Sequence, residues 1–144
     1  MRIADILRIK GHEVYTILAN HTVEEAAQLL CKKHVGALIV RGLRGELAGI
    51  LSERDVIRGI AEAGPGVLQQ PVRELMSPDV ITCTPDDLIN KMLAVMTVHR
   101  IRHLPVIEGE HLVGMISIGD LVKHRLQEKI QEVEVLRELN IVRV

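Results

Sequence analysis

The chain has 144 residues, a formal net charge of −1 from 18 Lys and Arg against 19 Asp and Glu, and a composition that is 47% hydrophobic but only 1% aromatic, with Tyr15 the sole such ring. That length and apolar content suit one compact, ordered module whose core must be built from Leu, Ile, Val, Ala and Met. Near-neutral charge gives no general attraction to nucleic acid or an anionic membrane, and one ring, Tyr15, offers single-stranded nucleic acid no stacking platform.

The amino terminus, Met1-Arg2-Ile3-Ala4-Asp5-Ile6-Leu7, lacks the long apolar run of a signal peptide. No apolar stretch approaches the ~20 residues that span a bilayer, so a cytoplasmic chain is expected. Lys10-Gly11-His12 then leads into a short strand at Thr16-Ile17-Leu18. Asn20 or Thr22 is placed to cap a helix, with Glu24 and Glu25 near its positive end. Val23, Ala26, Ala27, Leu30 and Cys31 share one helical face, which makes Cys31 a small core residue. A strand over residues 35–40, a turn at Gly42-Leu43-Arg44-Gly45 and a strand over residues 47–51 follow. Ser52-Glu53-Arg54-Asp55 opens a second helix, and Ala63-Gly64-Pro65-Gly66 breaks it.

From Pro71 the pattern starts again. Val72-Arg73-Glu74-Leu75-Met76 matches the first lead-in, and Thr82-Cys83-Thr84-Pro85-Asp86 matches the strand and turn at Thr16, with Asp86 as the expected helix cap. Ile89, Met92, Leu93 and Met96 form the helix face. Strands over residues 101–107 and 112–116 follow, and Ser117-Ile118-Gly119-Asp120 opens the last helix. The offset is 66 residues at Thr16/Thr82 and 65 at Ser52/Ser117. Two β-α-β-β-α copies are therefore expected, at residues 1–66 and 71–128, each too small to bury much surface alone. The last helix extends over residues 121–140, with an apolar stripe at Val122, Leu126, Ile130, Val133, Leu136 and Leu139. That stripe covers either the module's own core or a dimer seam.

These coincident motifs resemble the tandem cystathionine-β-synthase-type (CBS) pair, or Bateman module. They are the Thr-x-x-x-(Asp/Asn) segments, Val-Gly-Ala-Leu-Ile-Val and Ile-Arg-His-Leu-Pro-Val, the Gly-Ile-x-Ser and Gly-Met-x-Ser strand ends, and both Ser-x-x-Asp helix starts. The resemblance runs from Ile3 to about Lys129 and suggests a free-standing prokaryotic member. It implies an α+β fold of two pseudo-symmetric units packed through their sheets. It also implies an adenosyl ligand in clefts between them: AMP, ADP or ATP first, NAD(H) next, S-adenosylmethionine behind these, with no obligatory cofactor. A homodimer acting on an unknown downstream protein is the expected context.

The residue chemistry agrees with such a ligand. A carboxylate can accept from both vicinal ribose hydroxyls, and Asp55 and Asp120 lie in first helical turns where the dipole keeps them ionised. Ser52 and Ser117 can cap the same helices and bond ribose or phosphate oxygens. Arg102 and His103 match the family's phosphate-contacting segment, and guanidinium suits phosphate. Arg54 and Lys10 are expected to join them. In the resemblance Ile17, Ala37, Ile39, Ile101 and Pro105, with Thr16, Gly36, Thr82 and Cys83, line the adenine and ribose, so aliphatic side chains replace the missing rings. Burial at ~25 cal/mol per Å² then supports modest, micromolar-class binding.

The other reading of Ser-x-x-Asp is a capping arrangement with no ligand, and Asp55 could pair with Arg54 or Arg58 at the surface. His99 and His103 straddle a helix end and a strand and lack a third ligand, so no metal site is expected. Neither serine has an adjacent base, no Walker or dinucleotide-binding glycine pattern occurs, and no catalytic residue is assigned. Cys31 and Cys83 are isolated, so reduced thiols are expected rather than a disulfide.

Overall fold

A computed structural model describes residues 1–139. In chain order the elements are α1 (Ile3–Lys10), β1 (Thr16–Leu18), α2 (Val23–Lys33), β2 (Ala37–Arg41), β3 (Leu47–Ser52), α3 (Glu53–Ala63), α4 (Ile89–His99), β4 (His103–Glu108), β5 (His111–Ser117) and α5 (Ile118–Glu138). Short 3₁₀ turns lie at Pro65–Gln69 and Val72–Glu74. The α+β class and the repeated order of elements follow the sequence pattern. Contacts divide the chain into two compact units, one of residues 13–81 and one of residues 1–12 together with the chain from Thr82 onward.

In the unit of residues 13–81, β1 runs parallel to β2 and β2 antiparallel to β3. Thr22 caps α2, its hydroxyl accepting from the Glu25 amide at 3.1 Å. His34 closes the helix in the left-handed region at φ 55°, with Lys32 and Lys33 against its negative end. Val23, Ala26 and Leu30 of α2 and Val56 of α3 pack on Ile17, Leu38, Val40 and Leu51. Cys31 is exposed, contrary to the expected core position, because the buried stripe of α2 runs through Val23, Ala26 and Leu30 and leaves its neighbour at the rim. The lead-in of the second repeat closes this unit. Val72 donates to the His21 carbonyl at 2.7 Å, Arg73 to that of Ala19 at 3.0 Å and Ser77 to that of Ile50 at 2.9 Å. Gly49 admits this strap: a Cβ there would lie 2.7 Å from the Ser77 carbonyl oxygen.

The other unit holds the antiparallel pair β4–β5, helices α4 and α5, and α1. Its counterpart of β1 is reduced to one parallel bridge, Cys83 with Val106. Two prolines explain this. In the first repeat the Ile39 amide donates to the Tyr15 carbonyl and the Ala19 amide to that of Arg41. The residues at the same places in the second repeat are Pro105 and Pro85, which have no amide hydrogen. Only the central bonds survive, Cys83 to the Pro105 carbonyl at 3.0 Å and Ile107 to that of Cys83 at 2.8 Å.

The start of α4 also departs from expectation. Its cap is Leu88, not Asp86. The amides of Ile3 and Ala4, orphans at the start of α1, donate to the Asp87 and Pro85 carbonyls at 2.9 Å each. Ile3, Ile6 and Leu7 are buried, and a Cβ on Gly114 would stand 2.6 Å from Leu7 Cδ2. The physical units therefore cut the chain differently from the repeats at 1–66 and 71–128: each lead-in packs with the other repeat. Helix α5 ends at Glu138, and the last residue of its expected 121–140 span lies outside the described residues.

Candidate ligand-binding site

Both units build the same local arrangement where a hairpin strand passes into a helix. In residues 13–81, Ala37 of β2 faces Ser52 of β3, and the Glu53 amide donates to the Gly36 carbonyl at 2.9 Å. In the other unit His103 faces Ser117, and the Ile118 amide donates to the Arg102 carbonyl at 2.8 Å. Gly36 and Arg102 are thus equivalent, as are Ala37 and His103.

Each serine then forms a capping box with the aspartate three residues on. The Ser52 amide and hydroxyl donate to Asp55 Oδ2 at 2.8 and 3.1 Å, and the Asp55 amide donates to Ser52 Oγ at 3.3 Å. The Ser117 amide donates to Asp120 Oδ2 at 2.9 Å, and the Asp120 amide to Ser117 Oγ at 3.1 Å. The capping reading is therefore realised in both copies. It does not use up the carboxylates, which offer about four lone-pair sites each.

The partners of the two aspartates differ. Asp55 is nearly enclosed, its side chain 11% exposed, and Oδ1 meets the Arg58 guanidinium at 3.4 Å. Asp120 Oδ2 receives the Lys10 ammonium at 2.6 Å, and Lys10 also donates to the Met115 carbonyl at 2.8 Å. Burial acts to raise the Asp120 carboxyl, but the Lys10 hydrogen bond and the Ser117 amide outweigh it and hold it below the ordinary range. From sequence Lys10 is expected among the phosphate-facing cations; its ammonium is instead committed to Asp120. The pair spans 110 residues of sequence, and no local signal could have revealed it, since it depends on α1 packing with the second repeat.

The remaining expected residues separate by exposure. Arg54 and Arg102 are exposed, and Thr16 and Thr82 are exposed at the first-strand positions. Ile101 is half-buried and its amide donates to the Met96 carbonyl at 3.0 Å. Ala37, Ile39 and Pro105 are buried, Ala37 and Ile39 on the face of β2 opposite Leu38 and Val40. Ile17 and Cys83, expected at the same ligand surface, are buried as well. Ile17 belongs to the helix-covered core, and Cys83 is 3% exposed with its thiol pushed up to about 12, chiefly by burial and secondarily by Asp87. His99 ends α4 and His103 begins β4.

The CBS domain family model matches residues 3–62 and 72–127, one match on each repeat. The chain belongs to the CBS-domain family. A mitochondrial CBS domain-containing protein of Arabidopsis thaliana, CBSX3, is 34% identical over 140 residues, spanning 92% of this chain and 68% of that one. The crystal structure of a CBS-domain containing protein from Agrobacterium tumefaciens superposes with a TM-score of 0.84 at 37% identity, covering 86% of this chain and 92% of that one. The CBS domain pair of protein MJ0100, solved in complex with 5′-methylthioadenosine and S-adenosyl-L-methionine, shares the fold at a TM-score of 0.78 and 23% identity, over 89% and 98% of the two chains. Among the described residues no helix is long and apolar enough to cross a membrane.

Proposed function

We propose that this CBS pair is a regulatory, non-catalytic sensor of an adenosyl ligand, with AMP or a related adenine nucleotide as first candidate and NAD(H) or S-adenosylmethionine as further ones. The observation that carries this reading is the recurrence, in both units, of a carboxylate fixed by its own backbone at a helix start beside a strand start (Gly36-Ala37 and Arg102-His103). Such a carboxylate accepts from both hydroxyls of a ribose without reorganising, because the capping box already holds its torsions. Asp55 and Asp120 take the ribose in this reading, with Ser52 and Ser117 alongside. Arg102, His103 and Arg54 meet phosphate oxygens, for which guanidinium provides a forked, charge-assisted donor. The adenosyl ligands of the MJ0100 pair are in keeping with this chemistry.

Arg102→Ala tests the phosphate assignment. The expected result is roughly a tenfold loss of AMP affinity, the order of one charge-assisted hydrogen bond, with adenosine affinity unchanged. Equal affinity of wild type and variant for AMP removes Arg102 from the site.

A second reading, a CBS fold that acts only through protein contacts, draws on one observation: both capping boxes are complete within the chain and Lys10 already occupies Asp120. A thermal-shift series with AMP, ATP, NADH, S-adenosylmethionine and 5′-methylthioadenosine separates the two. A ligand at 100 times its Kd stabilises the folded state by about 2.7 kcal/mol. No shift with any of them at millimolar concentration leaves the second reading.

A further inference from the structure

Helix α5 buries Leu121 and His124 but leaves its apolar stripe from Val122 to Leu139 exposed, so the stripe does not cover the module's own core. That leaves the seam expected from the sequence. A second exposed surface lies in the unit of residues 13–81, at the far end of the β2–β3 hairpin from Ser52 and Asp55. An open cleft of about 720 Å³ is lined there by Ala19, Ala48 and Met76, with Leu43, Arg44 and Arg73 around them. Ala19, Ala48 and Met76 are half-buried against the core, so each turns part of its surface outward. Leu43 is 85% exposed, and Arg44 and Arg73 are exposed beside it. Neither guanidinium makes a hydrogen bond or ion pair among the described residues. The fold does not demand these cations. At the matching places the other unit has Asp86 for Asn20, Ala4 for Arg73 and the acidic turn Glu108-Gly109-Glu110 for Gly42-Leu43-Arg44-Gly45.

The β2–β3 turn holds its residues in place. The Arg41 guanidinium donates to the Gly45 carbonyl at 2.7 Å, and the Arg44 amide to Glu46 Oε2 at 2.9 Å. Gly45 takes a left-handed φ of 78°, and a Cβ on Gly42 would fall on the Glu46 carboxyl. Glu46, which also lines the cleft, is thereby tied into the turn. Arg73 is fixed from the other side, its amide bonded to the Ala19 carbonyl at 3.0 Å. The cleft therefore presents Leu43 and two arginines on a backbone already set, which lowers the ordering cost of a partner.

Charge and surface chemistry select the occupant. In a chain of net charge −1, two unpaired guanidinia are a local signal rather than part of a general field. Guanidinium is a forked donor matched to carboxylate, and Arg and Met are enriched where proteins meet. A small inorganic anion would use the arginines and leave Leu43, Ala48 and Met76 bare. A peptide with an apolar side chain between carboxylates uses all of them. We propose that this cleft is a docking surface for an acidic segment of a partner protein. Its carboxylates pair with Arg44 and Arg73, and its apolar side chain lies on Leu43, Ala48 and Met76. The surface is separate from the Ser-x-x-Asp carboxylates, so it holds or fails independently of the adenosyl reading.

Fluorescence anisotropy on the full-length chain tests it, with a short labelled peptide that sets leucines among glutamates as the probe. The peptide should bind saturably. The double substitution Arg44→Ala, Arg73→Ala should weaken it about a hundredfold, roughly tenfold for each charge-assisted bond. Leu43→Ala should weaken it several-fold, and the same peptide with glutamine for glutamate should bind at least tenfold more weakly. All three side chains are solvent-exposed, so an unchanged thermal unfolding curve is the control. Asp55→Asn should leave peptide binding as it is. No saturable binding by wild type, equal binding of the glutamine peptide, or a double variant that binds like wild type overturns the docking surface. Displacement of the peptide by inorganic phosphate of equal affinity assigns the arginines to a small anion instead. Loss of peptide binding in Asp55→Asn moves the peptide to the other end of the hairpin and likewise overturns the proposal.

Discussion

Lys10 and Asp120 show how much one contact between distant residues can set. The ammonium is bonded to a carboxylate that is only a quarter exposed, and it neutralises that carboxylate at the helix start where the second Ser-x-x-Asp lies. Lys10→Met is expected to destabilise the fold by about 1 kcal/mol, the value of a charge-assisted bond discounted for partial exposure. The sign of its pH dependence follows from the lowered Asp120 carboxyl. A carboxyl lowered on folding contributes stability above its unfolded pKa of about 3.9, and that contribution is lost as pH falls through the lower folded value. Urea denaturation of wild type and Lys10→Met should therefore differ at pH 7 and converge in acid. A gap that persists undiminished at pH 2 would assign the loss to packing of the Lys10 stem. Residues of this kind divide sharply in legibility. Ser52, Asp55, Ser117 and Asp120 could be read because their mutual bonds span three positions. The Lys10 contact could not be read, because nothing local records which repeat α1 joins.

At the level of elements, the second repeat shows how two prolines reshape a strand. The sequence motif at Thr82-Cys83-Thr84 matches Thr16-Ile17-Leu18 closely enough to predict a strand, but Pro85 and Pro105 delete the flanking ladder bonds and one bridge is left. The missing donors were visible in the sequence. Their effect was not, because it depends on knowing which residues of β4 stand opposite. Helix α1 makes the same point for packing: the sequence pattern marks residues 3–7 only as a lead-in, and neither its helix, with Ile3, Ile6 and Leu7 buried, nor the glycine that receives Leu7 was legible there. Gly114→Val should cost about 1–3 kcal/mol by forcing Leu7 from its place. Leu7→Ala should cost about 2–5 kcal/mol. If the two effects arise at one contact, they should combine non-additively in the double variant, as measured by chemical denaturation. Strict additivity would separate the two sites.

For the molecule as a whole, the repeat was the most legible feature, since similar residues recur at offsets of 66 and 65 and a family model matches each copy. What the recurrence did not convey is the exchange of lead-ins, by which residues 1–12 join the unit from Thr82 onward and the segment around Val72 closes the unit of residues 13–81. The near absence of aromatic rings also changes meaning at this scale. It argues against stacking on single-stranded nucleic acid, yet it is compatible with an adenine held by aliphatic surface and a ribose held by a carboxylate. Affinity from such a site should be modest and should rest on the ribose contacts. Isothermal titration of AMP into the wild-type chain, with Asp55→Asn and Asp120→Asn measured in parallel, tests that claim most directly. Saturable micromolar binding that falls at least tenfold in one or both aspartate variants is expected. Absence of binding by the wild type, or binding that neither substitution alters, would contradict it.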